Sequence, residues 1–255
     1  MGGGVGLSIH GPIRIATEKT LFAMPETGIG LFPDVGATWA LSRLKAGAHV
    51  GMLLGLTGQR LGAADCVYAG LATHFCPSER LPDVEASLRA LGDRASDAAA
   101  VASAISEVAG ASQPDLSKAS LEANAAAIER CFGACSSSAE EIVLRLEAES
   151  SEWSANTLKV LRSKSPLSIK VSLEALRRHQ AVSLKEAIIA EYRMSQWFMR
   201  PAPSSDFCEG IRAVLVDKDN APRWQLARLE DVSKDQVEEF FAALGPAHPR
   251  GELQL

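Results

Sequence analysis

The chain has 255 residues, of which 47% are hydrophobic and 22% charged, which is enough apolar material for one sizeable core and too much for a disordered chain. The formal net charge of −5 argues against a general nucleic-acid-binding surface, and no apolar run approaches the roughly 18–20 residues that a membrane-spanning helix needs. We therefore expect a soluble protein whose partners are neither nucleic acids nor membranes.

The chain begins with a glycine run, Met-Gly-Gly-Gly-Val-Gly-Leu-Ser, followed by apolar residues that predict a short helix over residues 3–10. Backbone N–H groups at such a helix start favour negative charge or a developing oxyanion. A dinucleotide fingerprint is excluded, because Leu7 stands where its last glycine would be. Ser8 lacks the second glycine of a nucleophile elbow, so we interpret it as an ordinary helix residue.

Two carboxylates, Glu26 and Asp34, lie eight residues apart in the loop Met-Pro-Glu-Thr-Gly-Ile-Gly-Leu-Phe-Pro-Asp-Val-Gly at residues 24–36. The residues between them are almost all apolar, and apolar surroundings raise a carboxyl pKa toward the range useful for proton transfer. The Gly and Pro residues fix a non-repetitive backbone that could hold both side chains toward one point. The alternative is structural: Glu26 begins a turn and Asp34 caps a helix over residues 35–44. Spacing alone leaves both open.

Short buried strands are predicted at Ile13–Ala16 and Leu21–Ala23 on either side of a turn, and a last strand at Thr73–Cys76. Only helical patterns follow from about Pro82 onward, and the Ala- and Ser-rich residues 95–127 predict peripheral helices without catalytic residues. The other expected helices are 49–56, 63–69, 140–164, one starting at Ser165-Pro166, 184–199, 207–215 and 237–244, with a frayed tail after residue 244.

The five cysteines are odd in number and scattered, which predicts reduced thiols in an intracellular protein; they are Cys66, Cys76, Cys131, Cys135 and Cys208. Cys131 and Cys135 could share a helix face, but no histidine or third cysteine is near them in sequence, so a zinc site is not favoured. The five histidines show no metal or catalytic spacing, and we predict no metal site.

Residues 1–8, Ala-Thr-Glu-Lys at 16–19 and Phe-Ala-Met-Pro-Glu-Thr-Gly-Ile-Gly-Leu-Phe-Pro-Asp-Val-Gly at 22–36 closely resemble the 3-hydroxyisobutyryl-CoA hydrolases. These enzymes are a branch of the crotonase (enoyl-CoA hydratase/isomerase) superfamily. The likeness is weak near residues 90–140. It continues in Leu-Thr-Gly at 56–58, Ala-Gly-Leu-Ala-Thr-His-Phe at 69–75, Ser-Pro-Leu-Ser-Ile-Lys at 165–170, Glu-Tyr-Arg-Met-Ser at 191–195 and Glu-Gly-Ile-Arg-Ala-Val-Leu-Val-Asp-Lys-Asp at 209–219.

The resemblance implies an α/β fold in which residues 1–80 form the later half of a crotonase-like ββα spiral core. Residues 81–255 would form a helical region with C-terminal crotonase-type helices. The core is expected to be N-terminally incomplete, since family members carry the first strands and a second oxyanion-hole amide before the glycine run. No targeting segment is visible at Met1. The family implies a mitochondrial location if the source is eukaryotic, and otherwise we expect a cytoplasmic one.

Carried over residue by residue, the resemblance implies that Gly3 donates its N–H to the thioester carbonyl. It makes Glu26 the catalytic carboxylate and Asp34 the second acid. The implied reaction is hydrolysis of a short-chain hydroxyacyl-CoA thioester, 3-hydroxyisobutyryl-CoA in valine catabolism, with coenzyme A as part of the substrate and no cofactor. Hydratases of the superfamily look similar here but carry a glutamate where this chain has Gly6, which makes hydration the weaker hypothesis.

Two alternatives stay open at this point: another crotonase-type hydratase or isomerase, and a catalytically silent hydrolase-like structural protein such as one associated with the mitochondrial ribosome. The expected lack of the N-terminal half of the core favours the second, whereas the intact glycine run, Glu26, Asp34 and the acidic charge balance oppose it. A homo-oligomer is possible. A basic edge is predicted to be either a solvated helix face or a contact for coenzyme A phosphates; it consists of Lys164, Lys170, Arg177 and Arg178.

Overall fold

The computed structural model describes residues 1–110, 112–133, 138–201, 205–245 and 248–255. In this part of the chain the sheet has two short parallel strands, β1 (Ile15–Ala16) and β2 (His74–Phe75), with Ile15 opposite His74. The predicted first and last strands are therefore confirmed in place, although each is only two residues long. The strand predicted at Leu21–Ala23 is reduced to one antiparallel bridge between Phe22 and Leu61.

Helices make up most of the described chain. The α-helices are α1 (Gly3–Gly6), α2 (Ala37–Leu41), α3 (Ala48–Thr57), α4 (Ala63–Ala69), α5 (Leu81–Ala90), α6 (Ala98–Ala109), α7 (Ser120–Ala123), α8 (Ala125–Phe132), α9 (Ala139–Glu149), α10 (Glu152–Arg162), α11 (Pro166–Arg178), α12 (Leu184–Phe198), α13 (Asp206–Ile211) and α14 (Lys234–Glu239). Short 3-10 turns lie at Glu26–Ile29, Ser78–Arg80, Gly92–Ser96, Leu116–Lys118 and Leu229–Asp231, and a π-turn at Arg212–Val216.

The two helices that flank the acidic loop are shorter than predicted. The first ends at Gly6 instead of residue 10. Just after this end, the Ser8 hydroxyl donates to the Val5 carbonyl at 3.1 Å, and such side-chain hydrogen bonds compete with the backbone hydrogen bonds of a helix. The second begins only at Ala37, because Val35 (φ +58°) and Gly36 (φ +79°) adopt left-handed conformations. No side chain caps this second helix, so the interpretation of Asp34 as its cap is wrong.

Later helices follow their capping signals. The single helical stretch predicted over residues 140–164 divides at Ser150, whose φ is +51°, and Ser151 then caps α10. Ser165 caps α11 with Pro166 in its first turn, as predicted. Helix α12 matches its prediction closely, beginning after a capping box formed by Ser183 and Glu186.

Helix α3 lies in the middle of the main apolar cluster and is buried throughout Val50–Thr57. It packs against α11 and α8, so the cluster draws on residues from both sides of position 80. The domain boundary expected there stays a prediction. A second cluster stacks Phe32, just before Asp34, against Phe198 of α12 at a ring-centroid distance of 5.5 Å. This contact joins the acidic loop to α12.

The tail beyond residue 244 is not frayed at Glu252, contrary to our prediction. Its carboxylate contacts the Arg193 guanidinium at 2.9 Å and accepts the backbone N–H of Leu244 at 2.7 Å. Composition alone does not reveal this contact, because Glu252 is fixed by a partner far away in sequence. In the described ranges, no helix is long and apolar enough to cross a membrane.

Candidate active site

The glycine run lies directly against the acidic loop. Gly2 donates its N–H to the Ala23 carbonyl at 3.3 Å, and a Cβ placed on Gly2 would be 3.4 Å from Glu26 Oε1. A Cβ on Gly3 or Gly4 would meet no atom within 4 Å, so this face of the run is open. The first N–H groups of a helix have no partner within the helix. Gly3 is thus exposed on this open face, one residue after Gly2, which lies against Glu26.

Glu26 is the first residue of a 3-10 turn and is only 6% exposed. The turn is anchored by Thr27, whose hydroxyl donates to the Leu56 carbonyl of α3 at 3.0 Å. Among the described residues, Glu26 Oε2 has no hydrogen-bond partner. Burial raises the pKa of Glu26 to about 7, and the charge of Asp34 contributes in the same direction. This carboxyl therefore changes protonation state near neutral pH.

The end of the 3-10 turn requires glycine for steric reasons. Gly30 has φ +68°, and a Cβ there would lie 2.3 Å from the carbonyl oxygen of Asp206 on α13. The backbones of the turn and α13 are in direct contact as a result. Asp206 is buried as well, and it accepts the Ser165 hydroxyl at 2.6 Å and the Gln225 N–H at 2.9 Å. These contacts fix the turn that carries Glu26 to the start of α11.

Asp34 lines a cavity of about 460 Å³ between α1 and α12. Its side chain is partly buried, and burial raises its pKa above the ordinary aspartate range. The structure brings Gly3 and Asp34 to this same cavity, while the Glu26 carboxyl lies outside its lining, against Gly2. The remaining wall is largely apolar and includes Leu7, Ile188, Tyr192 and Leu253.

The residue that sequence reasoning missed is Glu191 on α12. Its carboxylate is 4% exposed and accepts the Gly36 N–H at 2.6 Å and the Thr38 N–H at 3.2 Å, in addition to the Thr38 hydroxyl. Burial raises the pKa of Glu191 to about 7. The Thr38 hydroxyl oxygen is also 2.7 Å from Nδ1 of His179, and burial lowers the pKa of this histidine to about 4, which keeps it neutral.

Opposite Glu191, the His10 ring donates from Nε2 to the Val35 carbonyl at 2.9 Å. The Val35–Gly36 peptides, which follow Asp34 directly, are thus held from both sides. A β-branched residue is strained in the left-handed conformation of Val35, so these contacts offset a local cost. One sequence signal could have revealed Glu191: it shares an inward helix face with Ala187, Met194 and Phe198, where an apolar residue is expected.

The predicted basic edge is largely engaged within the chain. Lys170 contacts Glu140 at 2.6 Å and donates to the Val232 carbonyl at 2.8 Å, and Arg178 pairs with Glu174 at 2.7 Å. The Lys164 ammonium approaches Gly28 beside the acidic loop, and burial lowers its pKa. Contact of these residues with coenzyme A phosphates stays a prediction.

Of the two cysteines considered for a zinc site, the structure describes only Cys131. Cys131 is buried, and burial raises the pKa of its thiol to about 11, which disfavours the thiolate that binds metal. Cys135 lies outside the described residues. Over the described ranges, no group of three or more His, Cys, Asp or Glu side chains is arranged to hold a metal ion.

Residues 1–241 match the enoyl-CoA hydratase/isomerase family, and the chain belongs to this family. It is 44% identical over 245 residues to 3-hydroxyisobutyryl-CoA hydrolase 1 of Arabidopsis thaliana, covering 94% of this chain and 63% of that protein. It is also 44% identical over 246 residues to the human mitochondrial 3-hydroxyisobutyryl-CoA hydrolase, covering 96% and 61%. The chain thus spans less than two thirds of the length of these relatives, and the predicted resemblance is confirmed.

Solved structures agree on the fold. A carnitinyl-CoA dehydratase from Mycobacterium thermoresistibile superposes with a TM-score of 0.82 at 33% identity, and an enoyl-CoA hydratase from Rhodobacter sphaeroides with 0.78 at 37%. Each match covers 96% of this chain and 66% of the other. The predicted α/β crotonase fold class is confirmed, with the strand content of the described residues confined to one small sheet.

Proposed function

We propose that the site hydrolyses a short-chain hydroxyacyl-CoA thioester, with 3-hydroxyisobutyryl-CoA as the substrate. One observation carries the proposal: Glu26 is a buried carboxyl with a free oxygen, placed against the glycine run, and its pKa is raised to about 7. A carboxyl with this pKa is available as a nucleophile or a general base at neutral pH. The names of the relatives support the choice of thioester.

In this proposal Gly3 donates its N–H to the thioester oxygen, on which negative charge develops. Glu26 either attacks the carbonyl carbon, forming a mixed anhydride and expelling the coenzyme A thiolate, or removes a proton from the attacking water. In the first route, water then cleaves the anhydride and restores Glu26. Asp34, which lines the same cavity as Gly3, orients the substrate hydroxyl or gives a proton to the leaving thiol.

Coenzyme A belongs to the substrate, and we propose no further cofactor. Acyl-CoA is the small-molecule partner, and whether the protein forms a homo-oligomer stays a prediction. Relatives from human, mouse and chicken are named mitochondrial, which supports the proposal of a mitochondrial location for a eukaryotic source.

Hydration of an enoyl-CoA is the runner-up, since the similar solved structures are named as a hydratase and a dehydratase. The structure offers a reason to favour hydrolysis. A Cβ on Gly6 would lie 2.6 Å from Cβ of Val35, so the glutamate that hydratases carry at this position would not fit while Val35 stays in place. Val35 is held by His10, and its neighbour Gly36 by Glu191. We infer that this loop arrangement excludes the second acid of a hydratase.

The deciding experiment measures release of free coenzyme A from 3-hydroxyisobutyryl-CoA by the purified chain and by Glu26→Gln. The substitution keeps the shape of the side chain and removes its charge, so we expect turnover to fall by about a hundred- to ten-thousand-fold. Glu85→Gln on an exposed helix face is the matched control. Release that is unaffected by Glu26→Gln, or no release by folded protein, contradicts the proposal, and turnover of crotonyl-CoA alone would favour hydration.

The two routes differ in the fate of solvent oxygen. If the anhydride forms, turnover in ¹⁸O-water places label in the Glu26 carboxyl when water attacks on the enzyme side, which peptide mass spectrometry detects. Label confined to the product is expected from the general-base route and also from an anhydride that water opens at the acyl carbonyl, so label in Glu26 is the deciding result.

A further inference from the structure

The last described segment, residues 248–255, folds back over α12 and is fixed on both sides of Leu253. On one side, Nε of Arg193 contacts the two carboxylate oxygens of Glu252 at 3.1 and 2.9 Å. On the other side, the Lys185 ammonium donates to the Leu255 carbonyl. Glu252 also accepts the Leu244 N–H at 2.7 Å, which ties the segment to the chain just after α14. The segment is therefore a defined part of the fold.

Between these two attachments, Leu253 lines the cavity of about 460 Å³ that also contains Gly3 and Asp34. Gly3 and Asp34 are the groups assigned to the thioester oxygen and the substrate hydroxyl. Ile188 and Tyr192 of α12 line the same cavity, and Arg193 directly follows Tyr192. One stretch of α12 thus forms part of the apolar wall and fixes the segment that supplies another part.

Apolar walls of this kind discriminate between ligands by length. An added methylene group that fits gains contact, whereas one that meets a fixed side chain is excluded, and a single methylene can change selectivity by about 10- to 200-fold. The Arg193–Glu252 pair is only 28% and 26% exposed, and its single Nε–H is shared between the two carboxylate oxygens. Partial burial means that salt screens this pair less than a fully exposed one, and the pair fixes the residue next to Leu253.

We propose that residues 248–255 set the length of the acyl group that the cavity accepts, with Leu253 as the specificity-determining residue and Arg193 and Glu252 as its positioning residues. The inference rests on the proposed function, because it assumes that the acyl part of an acyl-CoA enters this cavity. It goes further in naming the wall that limits the substrate to short acyl groups.

The test uses non-hydrolysable thioethers of coenzyme A with propyl, butyl, hexyl and octyl chains, whose affinities are measured by calorimetry on the full chain. For Leu253→Ala we expect the affinity ratio of octyl to propyl to rise about tenfold or more. Leu255→Ala is the matched control, since that side chain is 60% exposed, outside the cavity lining, and its carbonyl contact with Lys185 does not need the side chain. The control should keep the wild-type ratio.

A second set of variants tests the ion pair. Arg193→Met and Glu252→Gln should each shift the ratio in the same direction as Leu253→Ala. The reversed pair, Arg193→Glu with Glu252→Arg, should recover part of the wild-type preference, which a loss of general stability would not produce. An unchanged ratio in Leu253→Ala overturns this inference alone. Failure of the wild type and of every variant to bind any thioether overturns the proposed function and this inference together.

Discussion

Two sets of acidic residues in this protein have opposite surroundings. On the outer helices the carboxylates lie beside guanidinium groups: Glu209 accepts two N–H groups of Arg212, and these hydrogen bonds lower the pKa of Glu209 to about 2. At the acidic loop, by contrast, burial raises the pKa of both Glu26 and Glu191 to about 7. The first group is stabilised by being charged, and the second is stabilised by keeping its protons.

The two buried carboxyls differ in their hydrogen-bond partners. Glu191 is fully engaged, accepting two backbone N–H groups and the Thr38 hydroxyl, and so it holds the backbone that follows Asp34. Glu26 retains a free oxygen. A buried acid without partners destabilises the fold when it ionises, and such groups concentrate where chemistry takes place. This difference supports the catalytic role proposed for Glu26 and suggests a positioning role for Glu191.

The largest effect is expected for Glu26→Gln. Beyond the loss of turnover described above, the variant should be more stable than the wild type at pH 8, since it removes a buried charge, by up to about 3 kcal/mol at 1.4 kcal/mol per pKa unit. Wild-type kcat/KM should rise with pH through about 7, as Glu26 loses its proton. Chemical denaturation at pH 8 and a pH–rate profile measure both effects. A less stable variant at pH 8 would show that the Glu26 charge is compensated in the fold.

Glu191→Ala should show the next largest effect. It leaves the Gly36 and Thr38 N–H groups and the Thr38 hydroxyl without their acceptor, which should lower the free energy of unfolding by about 3 kcal/mol. Glu191→Gln keeps one accepting oxygen and serves as the conservative control. If Glu191 positions Asp34, kcat should fall more than KM changes in Glu191→Ala, and Glu191→Gln should recover most of it. A wild-type kcat in folded Glu191→Ala would show that Glu191 is a purely structural residue.

The buried carboxyls and the buried histidine should give stability opposite dependences on pH. Between about pH 4.5 and 7 the folded chain keeps protons on Glu26 and Glu191 that the unfolded chain has released, so the free energy of unfolding should decrease as the pH rises. His179 acts in the opposite sense: its pKa is lowered from 6.5 to about 4, so stability should decrease as the pH falls through that window. Denaturation curves across this range check both trends. The decrease in stability with rising pH should be weaker in Glu26→Gln.

Several helices, and the two carboxyls to which we assign roles in the proposed mechanism, can be found from sequence because their signals are local. Helix α4 runs over residues 63–69 as expected, between Gly62 and Gly70, and Glu26 and Asp34 stand out because they flank an apolar loop. Glu191 could not be assigned, since its partner Gly36 is 155 residues away. The left-handed Val35 contradicts its own local preference and depends on distant contacts. The order at Glu252 likewise depends on Arg193, 59 residues earlier.

The smallest effect is expected when the Glu→Gln substitution is made at an exposed carboxylate. Glu85→Gln, like Glu26→Gln, replaces a carboxylate by an amide, but Glu85 pairs with Arg89 one helical turn away at 3.3 Å, and the two side chains are 68% and 83% exposed. Exposed pairs of this spacing contribute about 0.3–0.5 kcal/mol, and salt screens them. We expect a slight loss of stability at low salt that disappears at high salt, with no change in turnover. In Glu26→Gln the change should have the opposite sign and persist at high salt, because a buried charge is screened far less by salt. Denaturation of both variants at two salt concentrations measures this difference with the same Glu→Gln substitution at each site. Equal salt dependence of the two stability changes would contradict the distinction between the buried and the exposed carboxylates.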